Sequence, residues 1–186
     1  MTTSAVPSIN AQREYVERVA VLFEESGLQR MAGRLLAWLL ICDPPDQTAG
    51  DLEVALQASK GSISTNLRVL LTAQLIERVN RPSERRDRYR IRDGAWSRAV
   101  QGRMSQIAVF REAFADGLAL LADADATRRE RLIDTHDLYE WLEEEMPAFW
   151  QRWETVRETR RAARRQRNMA SAASDGTTEA TDEHDE

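Results

Sequence analysis

The stretch from Thr48 to Arg92 constrains the fold more than any other part of the chain. Its pattern predicts a short helix, a tight turn, a second helix, and two short strands joined by a polar hairpin. Thr48 can cap the first helix, because its hydroxyl oxygen can accept amide hydrogens that the first turn leaves free. Ser59 can cap the second helix in the same way, and that helix should end near Ala73. This order of elements predicts a winged helix-turn-helix.

The second helix of this stretch has one apolar and one polar face. Its apolar residues recur at the spacing of one helix side, at Ile63, Leu67, Leu70 and Leu71. Its other face carries two cations and several short hydrogen-bonding side chains, namely Lys60, Ser62, Ser64, Thr65, Asn66 and Arg68. Such side chains can reach the phosphates and base edges of DNA, but a solvated helix surface has a similar composition. The helix alone leaves both interpretations open.

The hairpin that follows favours the first interpretation. The strands are predicted at Leu75–Val79 and Tyr89–Ile91, and Pro82 between them suits a turn rather than a central strand. Arginines are concentrated in the hairpin and the second strand, at Arg81, Arg85, Arg86, Arg88 and Arg90. Arginine keeps its charge, binds phosphate through a forked set of donors and enters a narrow minor groove. A basic wing beside a polar helix favours DNA binding.

The net charge of −5 does not contradict this interpretation, because the charge is unevenly distributed. The segment from Asn168 to Glu186 holds six acidic residues and no Lys or Arg, so the rest of the chain has 26 basic against 25 acidic residues, or +1. Residues 59–92 hold nine basic against three acidic residues, or +6. Cations release counterions only from the phosphates that they touch. The local charge of residues 59–92, rather than the net charge of the chain, therefore determines whether this segment can bind DNA.

We therefore predict a DNA-binding surface made of the polar helix face and the wing. Lys60 and Arg68 are expected on the DNA backbone, while the short polar side chains are divided between phosphates and base edges. Arg86 is expected in the minor groove, with Arg85 and Arg88 on the flanking phosphates. The predicted DNA-binding residues are Ser59, Lys60, Gly61, Ser62, Ser64, Thr65, Asn66, Arg68, Arg81, Arg85, Arg86, Arg88 and Arg90.

The flanking segments predict further helices, over Ile9–Ser26, about Leu28–Cys42 and about Gly94–Ala122. A last helix follows a break at residues 123–125, and Pro147 should either kink it or start a fresh helix. The predicted fold class is mainly α with a small β-wing, a winged helix-turn-helix domain plus a long-helix dimerisation arm. The predicted parts are a disordered N-terminus (1–8), an N-terminal dimerisation helix (9–27), the winged helix-turn-helix (28–92), a helical dimerisation arm (93–167) and a disordered acidic tail (168–186).

The predicted arm carries more apolar surface than the rest of a chain of this size can readily bury. Its last helix carries hydrophobic residues at alternating steps of three and four, at Tyr139, Leu142, Met146, Phe149, Trp153 and Val156. The arm can fold back on the wing domain or pair with the same arm of a second copy. Pairing is favoured, because obligate homodimer interfaces are large and apolar.

Several runs of residues carry a resemblance to a known family. They are residues 32–44 (AGRLLAWLLICDP), 58–66 (ASKGSISTN), 76–78 (IER) and 85–90 (RRDRYR). Over residues 28–92 the chain resembles the winged helix-turn-helix of the MarR superfamily, in its GbsR-like branch, and is similar to actinobacterial repressors that control efflux transporters. The resemblance implies a dimeric repressor on an inverted-repeat operator. It also implies that Glu84 steadies Arg86, although the family usually has Asp at that position.

The aromatic residues of the helical segments have two interpretations. Such stripes are most often core, but the resemblance implies a pocket for a small amphipathic or aromatic effector between the arm and the wing domain. The candidate pocket residues are Trp38, Phe110, Phe114 and Tyr139. No residue among them identifies the effector.

Other function classes find little support in the sequence. His136 and His184 are the only histidines and Cys42 is the only cysteine, so a zinc site of ordinary spacing is not expected. Phosphate-binding loops and hydrolase motifs are missing, and we predict no catalytic residue, no metal and no cofactor. Cys42 suits a structural thiol better than a redox sensor, and a single cysteine fits a reducing cytoplasm. The predicted localisation is cytoplasmic and, given the predicted DNA binding, nucleoid-associated. The alternative is a winged-helix protein-interaction module without specific DNA binding.

Overall fold

The computed structural model describes residues 7–81 and 86–178, with side chains described as far as residue 170. The chain forms two compact units, Met1–Arg103 and Met104–Glu186. Within the described residues it is mainly helical with one small sheet, which confirms the predicted fold class. No described helix combines the length and the apolar character that crossing a membrane requires.

The first unit contains most of the elements. Its helices and strands are α1 (Ile9–Glu25), α2 (Arg30–Leu39), β1 (Gln47–Thr48), α3 (Ala49–Leu56), α4 (Lys60–Thr72), β2 (Ile76–Val79), β3 (Arg88–Ile91) and α5 (Ala95–Met104). The sheet is antiparallel with the order β1-β3-β2, so β3 is the central strand. Arg88 is paired with Thr48 on one side and with Val79 on the other. The two-residue strand β1 was not predicted, because it is too short to show an alternating pattern.

The core of the first unit lies around α2. Seven of its ten residues are buried, as the nearly continuous apolar sequence of this helix predicts. α3, α4 and β2 contribute the other large buried side chains, among them Leu52, Leu56, Ile63, Leu70 and Ile76. The apolar face predicted for α4 is therefore its core face, and the opposite face is left to solvent.

α1 belongs to the same core. Val16 and Ala20 are buried, and α1 crosses α2 at Gly33, where an added Cβ would lie 3.0 Å from Phe23 Cβ and 3.2 Å from the carbonyl oxygen of Ala20. Glycine permits this close approach of two backbones. α1 therefore packs against α2 in the core of the first unit, and its predicted role as an N-terminal dimerisation helix stays a prediction.

The second unit contains α6 (Gln106–Leu120) and α7 (Ala126–Thr178). The prediction of one helix over residues 94–122 is wrong, since α5 and α6 are separate helices with Ser105 between them. Glycine and serine at positions 102 and 105 weaken the helix there. α7 is continuous through Pro147, so a fresh helix does not start at this residue.

α7 also extends beyond the predicted arm. The tail was expected to be disordered from residue 168, but the helix continues to Thr178. Alanines at positions 170, 172 and 173 favour helix in this segment, although its acidic composition suggested disorder. The remainder of the tail, from residue 179, lies outside the described residues.

Candidate nucleic-acid interface

The turn between α3 and α4 is fixed by caps at the start of each helix. Thr48 and Asp51 form a reciprocal capping box, in which the Thr48 amide donates to Asp51 Oδ2 at 2.8 Å and the Asp51 amide donates to Thr48 Oγ1 at 3.2 Å. Gln57 ends α3 in the left-handed conformation with φ 50°. Ser59 then caps α4, and its hydroxyl oxygen accepts the Ser62 amide at 3.4 Å. Both predicted N-caps are confirmed.

α4 presents an exposed face of small and cationic residues. The exposed members of the predicted set are Ser59, Lys60, Gly61, Ser64, Thr65 and Arg68, and Ser62 is half-buried. The helix contains no acidic residue, and the positive end of its dipole lies at Lys60. Short side chains allow a helix to enter the major groove closely, and free amides at its start attract phosphate.

Asn66 does not belong to this exposed face. The residue is 6% exposed, and its Nδ2 donates to the carbonyl oxygen of Ser62 at 2.9 Å. The sequence grouped Asn66 with the polar residues because of its chemistry, but its position in α4 directs it inward beside Ile63 and Leu67, which are buried. The structure therefore removes Asn66 from the predicted contact surface.

The wing consists of β2, β3 and the hairpin between them. Arg86 is exposed, and Arg90 forms a surface ion pair of 2.7 Å with Glu77, the residue opposite it on β2. Arg78 lies 3.4 Å from Asp87. Two predictions, phosphate binding by Arg85 and the pairing of Glu84 with Arg86, concern residues 82–85, which lie outside the described residues.

The wing also faces the start of α3. The pKa of Asp51 is lowered, chiefly because its carboxylate accepts the hydrogen bond from the Thr48 amide. The positive charges of Arg88 and Arg86 lower this pKa further. Arg86 and Arg88 of the wing therefore lie close enough to the start of α3 to act on the charge of Asp51.

Two of the arginines that were predicted to contact DNA form bonds with an acidic residue at the base of the wing. Arg81 Nη2 lies 2.9 Å from Asp46 Oδ1, and Arg88 Nη1 donates to the carbonyl oxygen of Asp46 at 2.9 Å. Asp46 precedes β1, so its link to the wing arises only from the pairing of β1 with β3. Sequence reasoning missed Asp46, since β1 itself was not predicted.

The candidate effector residues fall in both units. Trp38 is buried in the first unit, where it lines a cavity of about 540 Å³ together with Ile9, Arg13, Pro44 and Val54. Phe110, Phe114 and Tyr139 form an aromatic cluster in the second unit, with ring centroids 5.2 to 6.1 Å apart. Whether these residues bind an effector stays a prediction.

Among the described residues, one group of side chains has the composition of a metal site. One ligand atom each from His136, Asp137 and Glu140 lies within 4.8 Å of the others on α7. The two carboxylates are exposed, and exposed acidic groups of this kind are common on helices without an ion. No other observation at this position points to a metal.

Comparisons with known proteins show which family the chain resembles. A family model described as MarR family matches residues 26–87, and one described as MmpR5-like MarR family transcriptional regulator matches residues 94–159. The chain is 40% identical over 130 residues to the HTH-type transcriptional regulator MmpR5 of Mycobacterium tuberculosis (strain ATCC 25618 / H37Rv), covering 70% of this chain and 79% of that protein. A crystal structure described as a transcriptional regulator is 37% identical, with a TM-score of 0.59, over 80% of this chain and 99% of that one.

The fold and the matched regions together define a transcriptional regulator built on a winged-helix DNA-binding fold. More particularly, the chain belongs to the MarR family. The predicted resemblance to that family is thus confirmed. Because its members and relatives are regulators, the prediction that the chain is not an enzyme is confirmed as well.

Proposed function

We propose that this protein is a ligand-responsive repressor that binds an inverted-repeat DNA operator as a homodimer. It acts in the cytoplasm, at the nucleoid, where its target DNA lies. The observation that supports this function most directly is the exposed, acid-free face of α4 with Lys60 and Arg68, beside a wing that carries Arg86. In this arrangement α4 enters the major groove while Arg86 reaches the adjacent minor groove.

The homodimer is supported by apolar side chains exposed in the second unit. Val109 and Phe110 on α6, and Leu138, Trp141 and Phe149 on α7, are all at least 45% exposed. Several large apolar side chains exposed on the same two helices favour an interaction site, and a second copy offers the same helices. Two copies related by a twofold axis would place two α4 helices about one turn of DNA apart, roughly 34 Å, as an inverted repeat requires.

Ligand response needs a molecule that binds the two states of the dimer unequally. The aromatic cluster of Phe110, Phe114 and Tyr139 offers rings to an aromatic or amphipathic effector. The cavity at Trp38 is a second candidate site for an effector. The buried indole Nε1 of Trp38 has no hydrogen-bond partner among the described residues, so an effector could accept a hydrogen bond from it. An effector that binds more tightly to the state whose two α4 helices do not fit the operator would favour that state and release the DNA.

A footprint on the DNA upstream of the protein's own gene, followed by a gel-shift titration on the protected duplex, tests the proposal. The expected result is a protected inverted repeat and a steep loss of affinity with added salt. Arg68→Ala should weaken binding to the operator. Arg18 is an exposed arginine of α1, so Arg18→Ala serves as the control for the loss of one positive charge.

Sedimentation velocity tests the homodimer and should show a dimer. A monomer that ignores duplex DNA at low salt would contradict the proposal and would favour a protein-interaction module.

A further inference from the structure

We propose that Asp46 is the positioning residue of the wing, and that it reserves Arg81 and Arg88 for holding the wing rather than for binding phosphate. Its role is to give the wing one direction relative to α3 and α4, and thereby to make DNA binding selective for the operator. This inference rests on the proposed DNA-binding function and assigns part of its specificity to a residue that does not touch DNA.

The geometry of Asp46 supports this role. Its side chain is only 8% exposed, although aspartate is rarely buried without a partner. It lies between the two ends of the wing. Arg81 follows β2 and approaches Oδ1 at 2.9 Å, while Arg88 begins β3 and approaches Oδ2 with Nε at 4.0 Å. A single carboxylate therefore contacts both chain ends of the hairpin.

Arg88 is more buried than Arg81, although it lies farther from the Asp46 carboxylate. Its side chain is 16% exposed, and its Nη1 also donates to the backbone carbonyl oxygen of Asp46 at 2.9 Å. A guanidinium buried to this extent needs a counter-charge, because an unpaired buried charge is strongly unfavourable. The Asp46 carboxylate and the Asp46 carbonyl oxygen therefore both help to hold the Arg88 guanidinium at the start of β3.

The position of Arg88 also affects Arg86, because the two residues are close in the chain. Arg86 is exposed and precedes β3 by two residues, so the position of Arg88 limits the direction in which Arg86 can extend. The same carboxylate belongs to the loop that leads into β1 and the Thr48 cap of α3. Asp46 therefore links the wing to the segment that starts the helix-turn-helix, within the first unit.

The test compares Asp46→Asn with Asp87→Asn. Both changes remove one negative charge near the wing, but Asp87 is an exposed side chain that lies 3.4 Å from Arg78. For each full-length variant, affinity is measured for the footprinted operator and for a random duplex of equal length, over a series of salt concentrations. Asp87→Asn should strengthen both affinities alike and leave their ratio unchanged.

For Asp46→Asn we expect the ratio of operator to random affinity to fall about tenfold, comparable to the effect of one mismatched base pair. The salt slope on random DNA should steepen by about 0.9 for each arginine that is freed to bind phosphate. Equal ratios and equal slopes for the two variants would overturn the inference. A wild-type protein that binds no DNA would instead overturn the proposed function, so the two failures are distinguishable.

Arg81→Gln keeps the inference testable if Asp46→Asn does not fold. Arg81 is about half-exposed, so this change should leave the fold intact. If Arg81 holds the wing, the variant should keep the wild-type salt slope and lose selectivity. If Arg81 binds phosphate, the slope should decrease by about 0.9 with an unchanged ratio, and that result would overturn the inference.

Discussion

Arg13 of α1 donates its Nε–H to the carbonyl oxygen of Ala55 at 3.0 Å, at the last turn of α3. Its Nη2 approaches the carbonyl oxygen of Val54 at 3.4 Å. The last carbonyl groups of a helix have no partner within the helix and carry the negative end of its dipole. Arg34 of α2 completes the arrangement, because its Nη2 donates to the carbonyl oxygen of Leu56 at 2.9 Å. The C-terminal end of α3 is thus held by arginines from two other helices.

Replacing Arg13 by alanine should lower the free energy of unfolding by about 1 kcal/mol, since the end of α3 loses a charged donor. Urea denaturation of the purified protein measures this change. Arg18→Ala, at an exposed position of the same helix, is the matched control and should change stability little. Equal stability of the two variants would mean that Arg13 does not support α3.

Gly33→Ala should destabilise the protein by roughly 1–3 kcal/mol, because the new methyl group would press on α1 where the two helices cross. The contacts at 3.0 Å and 3.2 Å involve Phe23 Cβ and a backbone oxygen, neither of which can move without the helix. Gly102→Ala in α5 is the control, since an added Cβ there meets nothing within 4 Å. Alanine at that position should instead stabilise the helix, by up to about 1 kcal/mol. Thermal unfolding that ranks the two variants in the opposite order would exclude this account of the crossing.

The sequence was informative where local chemistry decides the structure. The caps at Thr48 and Ser59, the apolar face of α4 and the hairpin position follow from propensity and periodicity, which act over a few residues. Non-local contacts were not predictable in this way. The bond from Arg13 to Ala55 spans 42 residues, and so does that from Arg88 to Asp46, and neither has a local signal.

Asn66 shows a second limit of prediction from the sequence, which concerns the face of a helix on which a residue lies. Helical periodicity places residues on a face only to within a fraction of a turn, so a polar residue at the boundary is assigned by its chemistry. Its burial depends on what α4 packs against, which is a property of the whole first unit. The same limit applies to α1, because the periodicity of its apolar residues does not say which other element covers Val16 and Ala20, which are buried in the first unit.

Stability should depend on pH through Asp51. The folded protein lowers the pKa of this carboxyl below its ordinary value of 3.8, chiefly through the hydrogen bond from the Thr48 amide. A lowered pKa in the folded state means that this contribution is complete above the unfolded pKa and is lost as the pH falls through the lower, folded value. Asp51→Asn should therefore cost roughly 0.5 kcal/mol at pH 7, because solvent screens this exposed carboxylate, and the difference from the wild type should shrink below about pH 4.

Urea denaturation at pH 7, 5 and 3 provides the comparison for Asp51. Glu53→Gln in the same helix controls for the loss of an acidic charge from α3. A difference between wild type and Asp51→Asn that stays constant down to pH 3 would show that the capping box does not depend on the charged carboxylate.

Cys42 should be a slow nucleophile in the folded protein. Burial raises the pKa of its thiol to about 11, and the nearby carboxylates of Asp43 and Asp46 add to this effect. The reactive species is the thiolate, so at pH 8 alkylation should be about 100-fold slower than in the urea-unfolded chain, where the ordinary value of 9.0 applies. Mass spectrometry of iodoacetamide-treated protein at timed intervals gives both rates. Rates that match in the two states would restore Cys42 as a candidate redox sensor.

Ser64 and Asn66 should behave oppositely on DNA, although both are short polar residues of α4. Ser64 is exposed on the face with Lys60 and Arg68, whereas Asn66 is buried and donates to the carbonyl oxygen of Ser62. Ser64→Ala should weaken operator binding about tenfold relative to random DNA if its hydroxyl group reads a base edge. Asn66→Ala should leave the ratio of operator to random affinity at the wild-type value.

Gel-shift titrations on both duplexes, at one salt concentration, separate these outcomes, and circular dichroism verifies that each variant is folded. A loss of selectivity in Asn66→Ala with Ser64→Ala unaffected would mean that the opposite side of α4 faces the DNA. Because helix residues two positions apart point about 200° from each other, the two substitutions cannot both remove base contacts from a rigid α4. The pair of variants therefore determines which face of α4 reads the operator.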